Sequence, residues 1–496
     1  MIGLLLSLAI VTQDQIPLRA APGEHAARHA VLAQGDNLEV RGVKGDYLQV
    51  FDHRRARAGY VRATQVGLYD LTPREAPRLR AVLEFLKDQP GQEALGIGHA
   101  AAFFKAAPAG AIDAGAFEAL GKIADRLAWR VSRLSGTDSE AARTVSAHLD
   151  AAASYGVQFH SVERYEKVTL CYDGDAWRRV LSLPASPEQK ARAALSLTRH
   201  DCVKATLSPS ERLDADHARA EMLDLVLTEG ESRGGLPEHL RNRLKIRAAG
   251  VWASVAHRRA HRPDSDPAAV LEAGRNAETH LASVDKNALV DGDRAAWNEA
   301  AIRVGASRWA AQAQTLVQPA QGRPGIQISA GDEPGQHCVH VVAAQKTGAG
   351  AGAGEAAASQ ESAQGKAFTH CTYGQVWPCS LAVSPDSKVM TLAVQPLENW
   401  RELWVFRQMQ NGWQLDIVPP SVDNPELGYI EFAGWVPGNK QFLVAREVVG
   451  NGHKTSFELW DRATLKVEKR ADKPDNLSAF YRWQDPVWKG GTVAVR

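Results

Sequence analysis

The chain has 496 residues, of which 44% are hydrophobic and 23% charged, and its formal net charge is +1. At roughly 150 residues per domain this length implies about three domains. The balanced charge excludes a global field that would draw the chain to nucleic acid or to an anionic membrane. Two local basic runs, His53-Arg54-Arg55-Ala56-Arg57 and His257-Arg258-Arg259-Ala260-His261-Arg262, lack flanking aromatics that would stack bases and are read as solvated surface.

Residues 2–11 form one apolar run of ten. A bilayer-spanning helix needs about 20 such residues, so the run predicts no transmembrane span and suits the core of a secretory signal. No Lys or Arg precedes it and no clean A-x-A site follows. Residues 1–15 are therefore read as a short or mis-started, signal-like apolar segment, with a buried first strand as the alternative.

Short alternating runs then recur between Gly-Asp turns: Ile16-Pro17-Leu18-Arg19, Gly35-Asp36-Asn37-Leu38-Glu39-Val40, Gly45-Asp46-Tyr47-Leu48-Gln49-Val50 and Gly59-Tyr60-Val61-Arg62. The pattern predicts a small, curved β-barrel over residues 16–70. Its wording resembles the bacterial SH3 domain, which implies a module tethered to peptidoglycan or to a partner peptide. Tyr47, Phe51, Tyr60 and Tyr69 are candidates for an aromatic groove that takes a Pro-rich or sugar-peptide ligand. Tyr47 and Tyr60 follow turn residues and are expected to be exposed ligand-binding positions.

A helical domain is predicted over residues 72–318. Thr72-Pro73-Arg74-Glu75 reads as a capping box with Pro in the first turn, Leu79, Val82, Leu83 and Leu86 share one face, and Gln89-Pro90-Gly91 stops the helix. Longer amphipathic helices follow over residues 236–259, 267–284 and 293–314. Their succession predicts stacked antiparallel hairpins, solenoid-like, with only a general similarity to tetratricopeptide repeats.

Residues 346–366 are a Gly-, Ala-, Ser- and Gln-rich stretch that cannot bury enough apolar surface to order itself, and a disordered loop is expected. Strand-like runs flank it, so it reads as an overgrown hairpin tip. Residues 325–496 form the third predicted domain. Eight of the 13 Trp lie here, and seven runs alternate apolar and polar residues over 381–384, 389–394, 403–406, 414–418, 429–435, 441–445 and 457–460. Two segments repeat one arrangement, a strand leading into Ser384-Pro385-Asp386-Ser387-Lys388 or into Val436-Pro437-Gly438-Asn439-Lys440, with a second strand after it. They resemble blade units of TolB-like and WD-type β-propellers, which implies an open or partial antiparallel propeller-like sheet, since a closed ring needs at least about four blades. The fold class expected is multi-domain α+β.

Five cysteines are present, Cys171, Cys202, Cys338, Cys371 and Cys379, with no C-x-x-C pair. In an oxidising periplasm they would make two disulfides and one spare thiol. A bridge from Cys171 to Cys202 is expected, and Cys371 is expected to pair with Cys338 or Cys379. His337-Cys338-Val339-His340 with His370-Cys371 is the sharpest metal-site candidate, because imidazole and thiolate in that grouping suit zinc. Its spacing is wrong for a zinc site, so no metal is assigned, and no cofactor is. His200-Asp201-Cys202 lacks the Ser-Gly that follows the nucleophile of the NlpC/P60 cell-wall peptidases. His25/His29 and His257/His261 have i, i+4 spacing without a third ligand and are read as surface residues. Gly96-Ile97-Gly98-His99 is half a dinucleotide fingerprint without its strand or its ribose acid, and is read as a helix start or a tight helix packing contact. Asp173-Gly174-Asp175 and Asp291-Gly292-Asp293 are read as turns and helix caps.

No catalytic residues are assigned. The sequence therefore points to a non-enzymatic, exported protein of the periplasm or cell envelope. Its partner would be peptidoglycan or an envelope protein or peptide, and not nucleic acid. Its rivals are a cell-wall hydrolase or peptidase with a dispersed site, and a cytoplasmic scaffold with reduced thiols.

Overall fold

A computed structural model describes residues 7–134, 136–137, 139–164, 167–232, 235–315, 323–342, 366–422, 427–450 and 452–491. It is mixed α+β, and the chain divides into two compact units. Unit 1 comprises Met1–Leu207 with Leu225–Leu240, and unit 2 comprises Ser208–Asp224 with Arg241–Arg496. Among the described residues no helix is long and apolar enough to cross a membrane.

Unit 1 begins with seven strands: β1 (Ser7–Val11), β2 (Ile16–Arg19), β3 (Arg28–Leu32), β4 (Asn37–Lys44), β5 (Tyr47–Asp52), β6 (Arg57–Arg62) and β7 (Val66–Asp70). They form one antiparallel sheet in the order β3-β2-β6-β5-β4-β1-β7. Gly35 and Gly45 have φ near +87° and +61°, the left-handed values that the turns before β4 and β5 require. Alternate residues from every strand, such as Val11, Leu18, Leu38, Val50 and Val61, meet in one apolar cluster. The sheet thus curls around its own core, but its edge strands β3 and β7 do not pair. The barrel expected over residues 16–70 is corrected to an open sheet that starts at Ser7. Part of the apolar N-terminal segment is strand β1, with Ala9, Ile10 and Val11 fully buried between β4 and β7.

Six helices and a hairpin follow in this unit: α1 (Ala76–Leu86), α2 (Glu93–Ala106), α3 (Ala114–Leu134), α4 (Glu140–Ser154), β8 (Phe159–Arg164), β9 (Lys167–Tyr172), α5 (Asp175–Ser182) and α6 (Pro187–Leu197). The hairpin was not expected within a helical middle. Nor does the capping box form. Glu75 N–H donates to the Thr72 carbonyl at 3.0 Å in a turn, and α1 starts after it with Pro77 in its first turn. Leu79, Leu83 and Leu86 are buried as their spacing predicts. Gly96 and Gly98 sit inside α2 at close approaches. A Cβ on Gly96 would lie 2.8 Å from Ile123, and one on Gly98 2.9 Å from the Tyr155 hydroxyl, which is the tight packing read from the sequence.

The remaining helices are α7 (Pro209–Ser232), α8 (Glu238–Ala260), α9 (Pro267–Ala282) and α10 (Asp291–Ser307). Helices from the middle of the chain contribute to both units. Ile10 and Tyr69 of the first sheet share a core with α1 and α2, whereas Ile302 and Ala306 of α10 share one with Leu427 and Tyr429. Apolar faces of the helices are completed by whichever sheet they meet, and that pairing draws the division.

In unit 2, β10 (Gly325–Ala330), β11 (His337–Val342) and β12 (Lys366–Thr372) form a three-stranded antiparallel sheet. Consecutive antiparallel pairing of β11 and β12 agrees with a hairpin; the expected loop at 346–366 lies outside the described residues apart from Lys366, which begins β12. Two four-stranded meanders come next. The first is β13 (Gln375–Val383), β14 (Val389–Leu397), β15 (Trp400–Met409) and β16 (Gly412–Val418). The second is β17 (Leu427–Trp435), β18 (Gln441–Gly450), β19 (Gly452–Asp461) and β20 (Val467–Ala471). A short parallel pairing of Trp400 and Arg401 with Gly428 and Tyr429 joins them into one eight-stranded sheet. Six of the seven alternating runs of the sequence fall wholly within these strands, and the seventh, 381–384, overruns the end of β13 by one residue. Ser387 and Asn439 take φ near +62° and +57° in the two repeated turns.

Period-two alternation builds layers from these strands. Met390, Leu392, Trp404 and Phe406 face the three-stranded sheet, while Val389, Leu403 and Val405 face Ile430, Phe442 and Val444 of the second meander. The other side of that meander, with Leu443, Ala445, Phe457 and Leu459, is covered by α11 (Ser478–Trp483) and α12 (Pro486–Gly491) through Phe480 and Trp488.

Candidate functional site

In unit 1, Leu48, Val50 and Val61 point into the core, so Tyr47, Gln49 and Phe51 on β5 and Tyr60 and Arg62 on β6 share the outer face. The register sets Tyr47 opposite Arg62 and Gln49 opposite Tyr60, which makes the two tyrosines diagonal neighbours. Arg62 lies over the Tyr47 ring at 5.5 Å, and Arg41 over the Phe51 ring at 4.0 Å. Arg41 and His53 both contact Glu39, at 3.2 and 2.6 Å, and hold that half-buried carboxyl below its ordinary range. The face is an aromatic–arginine mosaic suited to a ligand with planar or anionic groups.

Two expectations for this face are corrected. Tyr47 is 7% exposed, and its hydroxyl has no hydrogen-bond partner among the described residues. Neighbouring side chains close over a residue that its turn position alone would leave in solvent. Tyr60 is half-buried. Tyr69 leaves the groove altogether, because β7 turns it toward α2, where its hydroxyl lies 2.7 Å from His99 Nε2. His99 Nδ1 lies 2.8 Å from the Leu95 carbonyl, and burial holds its imidazole below the ordinary range.

Cys171 on β9 is disulfide-bonded to Cys202, so the thiol beside Asp201 is no nucleophile. Cys338 and Cys371, directly opposite each other on β11 and β12, form the second disulfide. This overturns the grouping considered for zinc. His340 faces Ser329 and Thr369 with its two nitrogens, each at 2.9 Å, and His370 packs edge-on against Trp404. Among the described residues no group of three or more His, Cys, Asp or Glu side chains is placed to hold a metal ion. Cys379 is the free cysteine, and burial pushes its thiol up to about 11.

Two buried polar clusters in unit 2 were not anticipated. In the first, Glu431 on β17 accepts from Arg308 Nη1 at 3.0 Å, from Arg401 Nη2 at 2.7 Å and from Trp488 Nε1 at 2.7 Å. Arg401 also donates to the Gly305 carbonyl at 2.6 Å, and burial lowers its guanidinium to about 10 against the pull of Glu431. In the second, Asp216 receives Arg212, Arg219 and Arg258 at 3.0, 2.7 and 2.9 Å. Arg258 and Ser254 also hold Glu398, whose carboxyl burial would raise but which Arg258 brings down to about 2. His257 and His261 lie with ring centroids 4.2 Å apart beside this cluster. They are not surface residues, as their basic context implied: His257 is 7% exposed, and burial lowers its imidazole to about 3. The one sequence signal for either cluster is a charge placed on the apolar stripe of a helix or strand, as with Glu431 between Tyr429 and Ala433, which share its face of β17. No protein-family model, curated protein or solved structure matches this chain.

Proposed function

We propose that the chain is an exported, non-enzymatic protein of the bacterial envelope that binds peptidoglycan or an envelope protein or peptide. In this reading the N-terminal sheet serves as an SH3-like module and the layered C-terminal sheets as a propeller-like one. The observation that carries it is the commitment of Cys171, Cys202, Cys338 and Cys371 to two disulfides, leaving the half-buried Cys379 as the free thiol. Such cross-links persist in oxidising compartments and not in a reducing cytosol. The outer face of β5 and β6, where Tyr60 is accessible beside Arg62, supplies the ligand surface in this reading.

Cosedimentation of the full chain with purified peptidoglycan tests it. Retention should fall roughly tenfold in Tyr60→Ala, the size expected for losing one aromatic contact. Release of soluble muropeptides would instead establish the hydrolase reading, and equal retention of both proteins would remove Tyr60 from the surface.

A further inference from the structure

A cavity of about 150 Å³ lies within unit 2, where the first meander, the second meander and the C-terminal segment meet. Trp309, Phe432 and Trp488 supply aromatic walls and Leu403 an aliphatic one, and Cys379 and Glu431 are among the other lining residues. Val487, 59% exposed, stands at its rim, so the space reaches the surface.

We infer that this cavity is a binding site for a small, uncharged aromatic molecule, of roughly benzene to indole size. Size is the first reason, since a cavity of about 150 Å³ lined by apolar groups accepts benzene. The walls are the second, because rings gain from offset or edge-on contact with other rings beyond simple area burial.

Charge is the third reason. Glu431 is already engaged on both oxygens, by Trp488 on one and by Arg308 and Arg401 on the other. A cationic ligand would meet the two guanidiniums behind it, and an anionic ligand would meet Glu431 and Asp485, which also lines the space. An anion would lose hydration without gaining a free counter-charge, and a cation would gain only the rim carboxylate of Asp485 against the two guanidiniums. A neutral ring loses little on entry.

The site does not depend on the envelope-binding reading, because each of its residues belongs to unit 2. Cys379 serves as its reporter. In the full-length, unreduced protein at mildly alkaline pH, the rate of Cys379 modification by methyl methanethiosulfonate would be followed against indole concentration. Saturable protection of about tenfold or more is expected with indole, and less than about twofold with benzoate or benzylamine at equal concentration. Ala382→Phe, which places a ring in the same space, should abolish protection by indole. A modification rate unchanged up to the solubility limit of indole would overturn the inference. So would equal protection by the charged analogues, a comparison that needs no variant to fold.

Discussion

Arg401 and Glu431, thirty residues apart on adjoining strands, meet at 2.7 Å in the interior of unit 2, with side chains 0% and 1% exposed. The pair sits where the two meanders are joined. Charges in such a place cost several kcal/mol each to dehydrate, and only close, multiply hydrogen-bonded geometry offsets that cost.

Removing one partner should therefore be more harmful than replacing the cluster. Glu431→Gln leaves Arg308 and Arg401 facing an amide and should destabilise the protein by about 3–5 kcal/mol. Urea unfolding followed by Trp fluorescence measures this. The Arg401→Met/Glu431→Leu double variant should lose less than the sum of its single changes. Strict additivity would show that the two groups act independently.

Acid should weaken unit 2 through His257. Its imidazole titrates near 6.5 in the unfolded chain and about 3 in the folded protein. Between these values the unfolded state binds more protons, so stability rises with pH across the window. By about pH 4 the neutral, buried ring should have cost about 3 kcal/mol relative to neutral pH. Glu398, Arg258 and His261 face the same ring and set its field. His257→Gln should flatten the slope by that amount when stability is measured from about pH 7 to pH 4. Parallel slopes for the two proteins would contradict the assignment.

Thiol counting separates the compartments directly. Denatured but unreduced protein should alkylate at Cys379 alone, and at all five cysteines after reduction. In the native state Cys379 should react slowly at pH 8, because a thiol held near 11 is only about one-thousandth thiolate there. Replacing Cys171 or Cys338 by Ser should each cost about 3–4 kcal/mol, given closed segments of 31 and 33 residues.

Tyr47→Phe removes a buried hydroxyl that has no partner among the described residues. It should leave stability unchanged or raise it by up to about 1 kcal/mol, whereas Tyr47→Ala should cost about 3. Thermal melts of both variants check this. A large loss in Tyr47→Phe would reveal a hydrogen bond the geometry does not contain.

Much of the architecture was legible in the chain. The alternating runs of the C-terminal region became strands because period-two patterning acts over a few neighbouring residues and needs no distant partner. Leu79, Leu83 and Leu86 were likewise legible as one buried helix face. Tyr47 misled because its exposure depends on what packs over the sheet, which a turn residue beside it does not reveal. His257 misled for the same reason, since five basic or imidazole side chains in six residues read as surface until Glu398 and Asp216 arrive from elsewhere in unit 2.

The sequence by itself determined the alternating strands of the C-terminal region and the buried face of α1, because those follow from local periodicity, and its count of thiols allowed two disulfides and one free cysteine without saying whether Cys338 or Cys379 is the free one. The tertiary structure decided that the first sheet is open and incorporates Ser7–Val11, that the helices divide between two units, and that Arg308, Arg401 and Glu431 converge beside a cavity. Those outcomes rest on contacts between segments up to 123 residues apart in the chain, where burial turns a solvated charge into a structural one.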